Sequence, residues 1–145
     1  MAEGVLREVT LALPMVPEME LEASKTATAI AESIRMSPDR IDEVRQAVIE
    51  ACINALEHSH AADREVYVTF QILGEGGEPE KLRIMVRDNG VGFSPDSMEE
   101  PAVVEGKLRA LQKRRWGLKL IQGMMDEVEI RSGTDGTTVV MSKMR

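Results

Sequence analysis

Between Arg64 and Arg87 the chain spells out a β-hairpin, and no other stretch constrains the fold as much. Arg64-Glu-Val-Tyr-Val-Thr-Phe-Gln-Ile-Leu73 alternates as a strand should, residues 74–80 supply a turn, and Lys81-Leu-Arg-Ile-Met-Val-Arg87 pairs back. A strand pair with one apolar face needs another layer to cover it, and the segments just upstream are helical in pattern. Residues 18–36 carry Leu21, Ala27, Ile30, Ala31 and Ile34 at helical spacing. Ser37 then stands as N-cap with Pro38 in the first helical position. From Pro38 to about His58, the residues Ile41, Val44, Val48, Cys52 and Ala55 fall within an arc of ~100° when projected at ~100° per residue.

The remaining elements follow the same logic. Val5 to Leu13 is a strand candidate ended by Pro14 and Pro17. Trp116 to Met125 reads as a helix, Asp126 to Ser132 as a strand, residues 133–136 as a turn, and Thr137 to Met144 as the final strand. After Asp88 the chain makes no further strand, because residues 91–101 hold two prolines and no period-two run. Asp88-Asn89-Gly90 therefore opens a loop, which favours a ligand-lining role over a plain hairpin turn. Residues 93–115 are expected to form a lid, with a short helix at Leu108 to Leu111. The predicted class is α+β in a single domain spanning residues 1–145, a size that can bury one core without disulfides or metals.

Composition excludes several functions. Aromatics are 3% of the chain, so Leu, Ile, Val and the 10 Met must fill the core. A formal charge of −7 and a pI near 4.9 argue against a nucleic-acid partner, which calls for clustered cations. The one basic cluster, Lys107, Arg109, Lys113, Arg114 and Arg115, suits a nucleotide phosphate or an acidic partner, and equally a solvated helix end. Cys52 is the sole cysteine, so no internal disulfide forms, and it reads as a buried helix residue. No run approaches the ~18 apolar residues of a membrane helix, and a cytoplasmic location is expected. His58 and His60 with one cysteine make no zinc pattern, and neither a P-loop, a dinucleotide glycine fingerprint nor a GxSxG elbow is present.

Two short segments carry chemistry. In Glu50-Ala-Cys-Ile-Asn54, Glu50 and Asn54 are i,i+4 neighbours, which sets a carboxylate base beside an amide oxygen able to ligate Mg²⁺. Both project nearly opposite the apolar arc, so a solvated polar face explains them as well when they are taken alone. In Asp88-Asn-Gly-Val-Gly92, an acid able to accept an exocyclic amine precedes two glycines that let backbone approach a flat ligand.

Together with Trp116-Gly-Leu-Lys-Leu-Ile-Gln-Gly-Met-Met-Asp-Glu-Val-Glu-Ile-Arg-Ser132 and Asp135-Gly-Thr-Thr-Val-Val-Met141, these segments resemble the Bergerat-fold ATPases, and within them the anti-sigma-factor serine kinase branch. The resemblance covers roughly residues 5 to 144. It implies a two-layer α/β sandwich whose mixed, mostly antiparallel sheet is covered on one face by helices, with ATP and Mg²⁺ as cofactors. It implies that Asn54 coordinates Mg²⁺ bridging the phosphates and that Glu50 orients or deprotonates the attacking hydroxyl. Asp88 would read the adenine amine, Gly90 and Gly92 would give room to the base, the Gly117 amide would meet phosphate, and Thr137 would complete the adenine end. His58, one turn beyond Asn54, is open to a phosphate-proximal or a capping role.

The same resemblance implies a sigma factor and a STAS-type anti-anti-sigma protein as partners, and the family often dimerises, which leaves a homodimer open. Arg115 departs from the family, which has a glycine before the Trp-Gly pair; the guanidinium would either grip the γ-phosphate or obstruct the lid. A nucleotide-binding or nucleotide-free interaction module that sequesters a regulatory partner without catalysis is the alternative.

Overall fold

In a computed structural model of the chain, residues 4–58, 62–90 and 116–145 are described. The elements are β1 (Gly4–Pro14), α1 (Met19–Ser33), α2 (Pro38–His58), β2 (Glu65–Glu75), β3 (Glu78–Asp88), α3 (116–124), β4 (Glu127–Gly133) and β5 (Gly136–Met144). The five strands form one sheet in the order β1-β2-β3-β5-β4, and every neighbouring pair is antiparallel. Among the described residues no helix is long and apolar enough to cross a membrane.

Period two along each strand sorts the side chains between two faces. Phe70, Ile84 and Met141 lie side by side across β2, β3 and β5, as do Val68, Val86 and Val139, and all six are buried under the helices. Burial of each such side chain is worth roughly 1.5–3 kcal/mol, so these rows hold the helical layer to the sheet. The third row, Val66, Asp88 and Thr137, continues the same inner face but ends in two polar residues, both buried. That change from apolar to polar at one end of the sheet locates the candidate site.

The helices differ from the sequence expectation in instructive ways. Ser37 caps α2 as its sequence predicts, with its Oγ accepting the Arg40 amide. The first helix stops at Ser33 rather than at residue 36, because Arg35 takes a left-handed φ of 60° and the Met36 amide turns back to the Ala31 carbonyl at 3.1 Å. The buried stripe of α1 runs through Met19, Ala23, Ala27 and Ala31, while Leu21 is exposed. Small alanines let α1 lie close to α2, and the larger leucine falls outside that contact. The hairpin turn is also shorter than residues 74–80. Gly76 and Gly77, with φ of 60° and 81°, form a two-residue loop, and the strands pair on through Glu75 and Glu78. Gly74 and Pro79 sit inside the ladder, where a register shift at Leu73/Gly74 accommodates them.

Candidate functional site

Asn54 is 5% exposed, although it projects away from the apolar arc of α2. A solvated helix face does not account for that. The covering element is α3: a Cβ added at Gly117 would stand 2.8 Å from Asn54 Nδ2 and 2.9 Å from Oδ1, so the α3 backbone lies directly on the amide. Any side chain at position 117 would force the Asn54 amide to shift. Nδ2 is buried and has no hydrogen-bond partner among the described residues, a condition that costs about 1–3 kcal/mol and makes the amide a candidate to bind a ligand. Glu50, one turn earlier on α2, is half-buried.

The other half of the site comes from the ends of β3 and β5. Asp88 is 4% exposed and accepts the Gly90 amide through Oδ1 at 3.0 Å, an Asx-type turn that fixes the carboxylate. Thr137 is its cross-strand neighbour on the same face, is buried, and shares a hydroxyl contact of 3.1 Å with Ser132. Ala51, Asn54, Ala55, Val86, Asp88, Leu118, Thr137 and Val139 surround one small cavity. The fold therefore brings Asn54, Asp88 and Thr137 to a single place, with Gly117 against the first and Gly90 against the second. Gly92 and Arg115 lie outside the described residues, as do the basic cluster, the expected lid and the His58 side chain.

Sequence reasoning missed two supports of this end. Gly136 counted only as part of a turn, yet its φ is 133° and a Cβ there would overlap the Asp88 carbonyl oxygen. It is the residue that lets β5 turn in close behind the acid. Asn89 Nδ2 donates to Asp63 Oδ2 at 3.1 Å, and the Tyr67 hydroxyl reaches the same oxygen at 3.0 Å and Glu65 Oε2 at 2.9 Å. The Arg87 guanidinium lies over the Tyr67 ring at 4.7 Å. The hydrogen bond from Asn89, then that from Tyr67, lowers the Asp63 carboxyl, while Glu65 and then Asp63 push the Tyr67 phenol up to about 12. The Asp-Asn-Gly turn carries a local signal, but its partner Asp63 is 26 residues away and carries none.

A nucleotide with a divalent ion suits these residues. An unpartnered buried amide could hold a phosphate-and-metal end, and a fixed buried carboxylate with a threonine beside it could hold a base. The cavity they line measures about 10 Å³ among the described residues, far below the roughly 300 Å³ of a small-molecule pocket. Leu118, next to Gly117 on α3, forms one wall of it.

A helical layer on one face of an antiparallel sheet, with Asn54 and Asp88 converging at one end, defines the Bergerat type of ATP-binding fold. The chain belongs to the histidine kinase-like ATPase domain family, whose sequence pattern matches residues 14–143. Among curated relatives it is similar to serine-protein kinase RsbW of Bacillus subtilis (strain 168), 28% identical over 140 residues that cover 93% of this chain and 84% of that protein. RsbW of Bacillus cereus is also 28% identical, with 94% and 84% covered. Among solved structures, the RsbU and RsbW domains of Rv1364c from Mycobacterium tuberculosis superpose with a TM-score of 0.69 at 18% identity, over 95% of this chain and 32% of that one. The SiaB-SiaC complex from Pseudomonas aeruginosa gives 0.53 at 13% identity, over 94% and 88%. Both structures share the fold.

Proposed function

We propose that this chain is an ATP-dependent serine protein kinase acting as an anti-sigma factor in a partner-switching pathway, with a STAS-type anti-anti-sigma protein as its phosphoryl acceptor. The observation that carries the reading is the buried, unpartnered Asn54 amide with Gly117 pressed against it and Glu50 one turn away. The curated relatives, named as serine-protein kinases, support the serine specificity. The reading places the protein in the cytoplasm with the sigma factor it would hold.

Each residue then has a task. Asn54 holds the phosphate end through its amide and is the protein's ligand for Mg²⁺, an ion that commonly takes few protein groups and completes its shell with phosphate oxygens and water. Bound ATP with Mg²⁺ supplies the transferable phosphoryl group and neutralises its charge. Glu50 orients the acceptor hydroxyl and takes its proton, from the same helix face that presents Asn54. Asp88 accepts the adenine amine with the carboxylate that Gly90 has already oriented, and Thr137 supports the base from β5. Gly90 leaves room for the ring; Gly92 would do the same, and the Arg115 guanidinium would either grip the terminal phosphate or obstruct the lid, Gly92 and Arg115 both lying outside the described residues.

The small cavity of about 10 Å³ favours a second reading, a module that sequesters a partner without catalysis. Incubation with labelled ATP, Mg²⁺ and a STAS protein encoded nearby separates the two. The kinase reading expects serine phosphorylation that Glu50→Gln slows by roughly 10²-fold or more with ATP affinity retained, the scale of a positioned base. Transfer at the parental rate in Glu50→Gln removes Glu50 from its role, and no transfer by the parent leaves the sequestering module.

A further inference from the structure

The last inward-facing position of β5 is a lysine. Thr137, Val139 and Met141 precede it on the same face, and the pattern calls for an apolar residue, yet Lys143 stands there 6% exposed, opposite the fully buried Leu82. Its ammonium donates to the Met124 carbonyl oxygen at 2.6 Å, in the last turn of α3. Glu43 Oε1 of α2 faces it at 3.4 Å and Asp126 Oδ1 at 3.8 Å. Asp126 Oδ2 accepts the Met144 amide at 2.7 Å, and Arg40 of α2 donates to the Met144 carbonyl at 3.1 Å while lying 3.9 Å from Asp126. One buried cation thus joins the end of α3 to the start of α2 and the end of β5.

Such a cluster is a poor source of stability, since an apolar side chain of similar size in its place is often as stable. Its specific effect is geometric: a cation bonded to the last carbonyls of a helix fixes where that helix ends. Gly117 lies about 10 Å along the same helix from Met124, a length over which a helix is stiff. At that end there is no slack, because the Gly117 backbone rests on the Asn54 amide. A shift of α3 at Met124 must therefore be taken up at Asn54. We propose that Lys143 is a positioning residue of the nucleotide site, anchoring the far end of α3 so that Gly117 sets the Asn54 amide. The functional consequence rests on the reading of Asn54 given above; the structural one does not.

Asparagine occurs only at positions 54 and 89, so selective ¹⁵N-asparagine labelling gives two side-chain amide pairs in a proton–nitrogen correlation spectrum of the full chain. In Lys143→Met the Asn54 pair should move while the Asn89 pair holds. Calorimetry should show affinity for ATP with Mg²⁺ reduced about tenfold, the scale seen when the outer partner of a metal ligand is lost, with adenosine affinity unchanged because the Asp88 end is untouched. An unmoved Asn54 pair in folded Lys143→Met overturns the proposal. Should that variant fail to fold, Glu43→Gln, which removes one facing carboxylate and keeps the carbonyl bond, must displace the same pair by a smaller amount, and no displacement is equally fatal. If the parent binds no ATP, the kinase reading fails, while a displaced Asn54 pair still upholds the positioning.

Discussion

Adding one methyl group at Gly117 tests the site more sharply than removing any side chain. The new Cβ would meet the Asn54 amide at 2.8 and 2.9 Å, below the separation that real Cβ atoms keep. Two opposing effects follow. Alanine is favoured over glycine in a helix by about 1 kcal/mol, whereas forcing extra volume into a filled contact costs about 1–3 kcal/mol. The net change in stability lies between nearly zero and about 2 kcal/mol, a fall in Tm of at most roughly 8 °C for a domain of this size. Binding should suffer far more, because the amide that yields is the one assigned to phosphate and Mg²⁺; a loss of about 10- to 100-fold in affinity is expected. Gly123→Ala on the same helix is the control, since nothing lies within 4 Å of its Cβ position. That change should raise Tm slightly, by up to about 1 kcal/mol of helix propensity, and leave binding alone. Differential scanning calorimetry and titration calorimetry on the pair supply both numbers. Parental affinity for ATP with Mg²⁺ in folded Gly117→Ala would refute the reasoning, because it would show that Asn54 can be displaced without consequence.

Asp88→Asn should keep the fold, since the amide oxygen can still accept from Gly90, but lower ATP affinity about ten- to hundredfold, the worth of a hydrogen bond to a charged group; unchanged titration calorimetry would remove Asp88 from the base-reading role. The Cys52 thiol, pushed from 9.0 up to about 12 by burial and then by the Glu20 carboxylate, is held protonated by the fold. Its contribution is complete below about pH 9 and is lost as pH rises toward 12, at most about 4 kcal/mol in total. Denaturant midpoints of Cys52→Ala should therefore fall less steeply than the parent's above about pH 9, and parallel curves would contradict the assignment.

What the sequence disclosed was local. Ser37-Pro38 announces the start of α2 because capping acts over a few residues, and the alternation in residues 64–73 and 81–87 announces the hairpin because strand faces repeat every second residue. Glu50, Asn54 and Asp88 were legible as a set through resemblance to a known constellation, and the fold does bring Asn54 and Asp88 to one cavity. The features that escaped depend on contacts distant along the chain. The end of α1 rests on Arg35, a residue type that gives no stop signal. Burial of Asn54 depends on a glycine in a different helix far along the chain, and neither the Asp63 contact to Asn89 nor the role of Lys143 shows in any window.

Trp116 is the only tryptophan, 63% exposed, and stands next to the glycine that touches Asn54. The protein therefore carries its own optical reporter at the start of α3, beside the glycine that touches Asn54. A water-bathed indole emits at long wavelength and gives little further change on unfolding, so this signal is a weak gauge of denaturation. It is well placed to register displacement of α3, and a titration followed by fluorescence would report any such displacement without any attached dye.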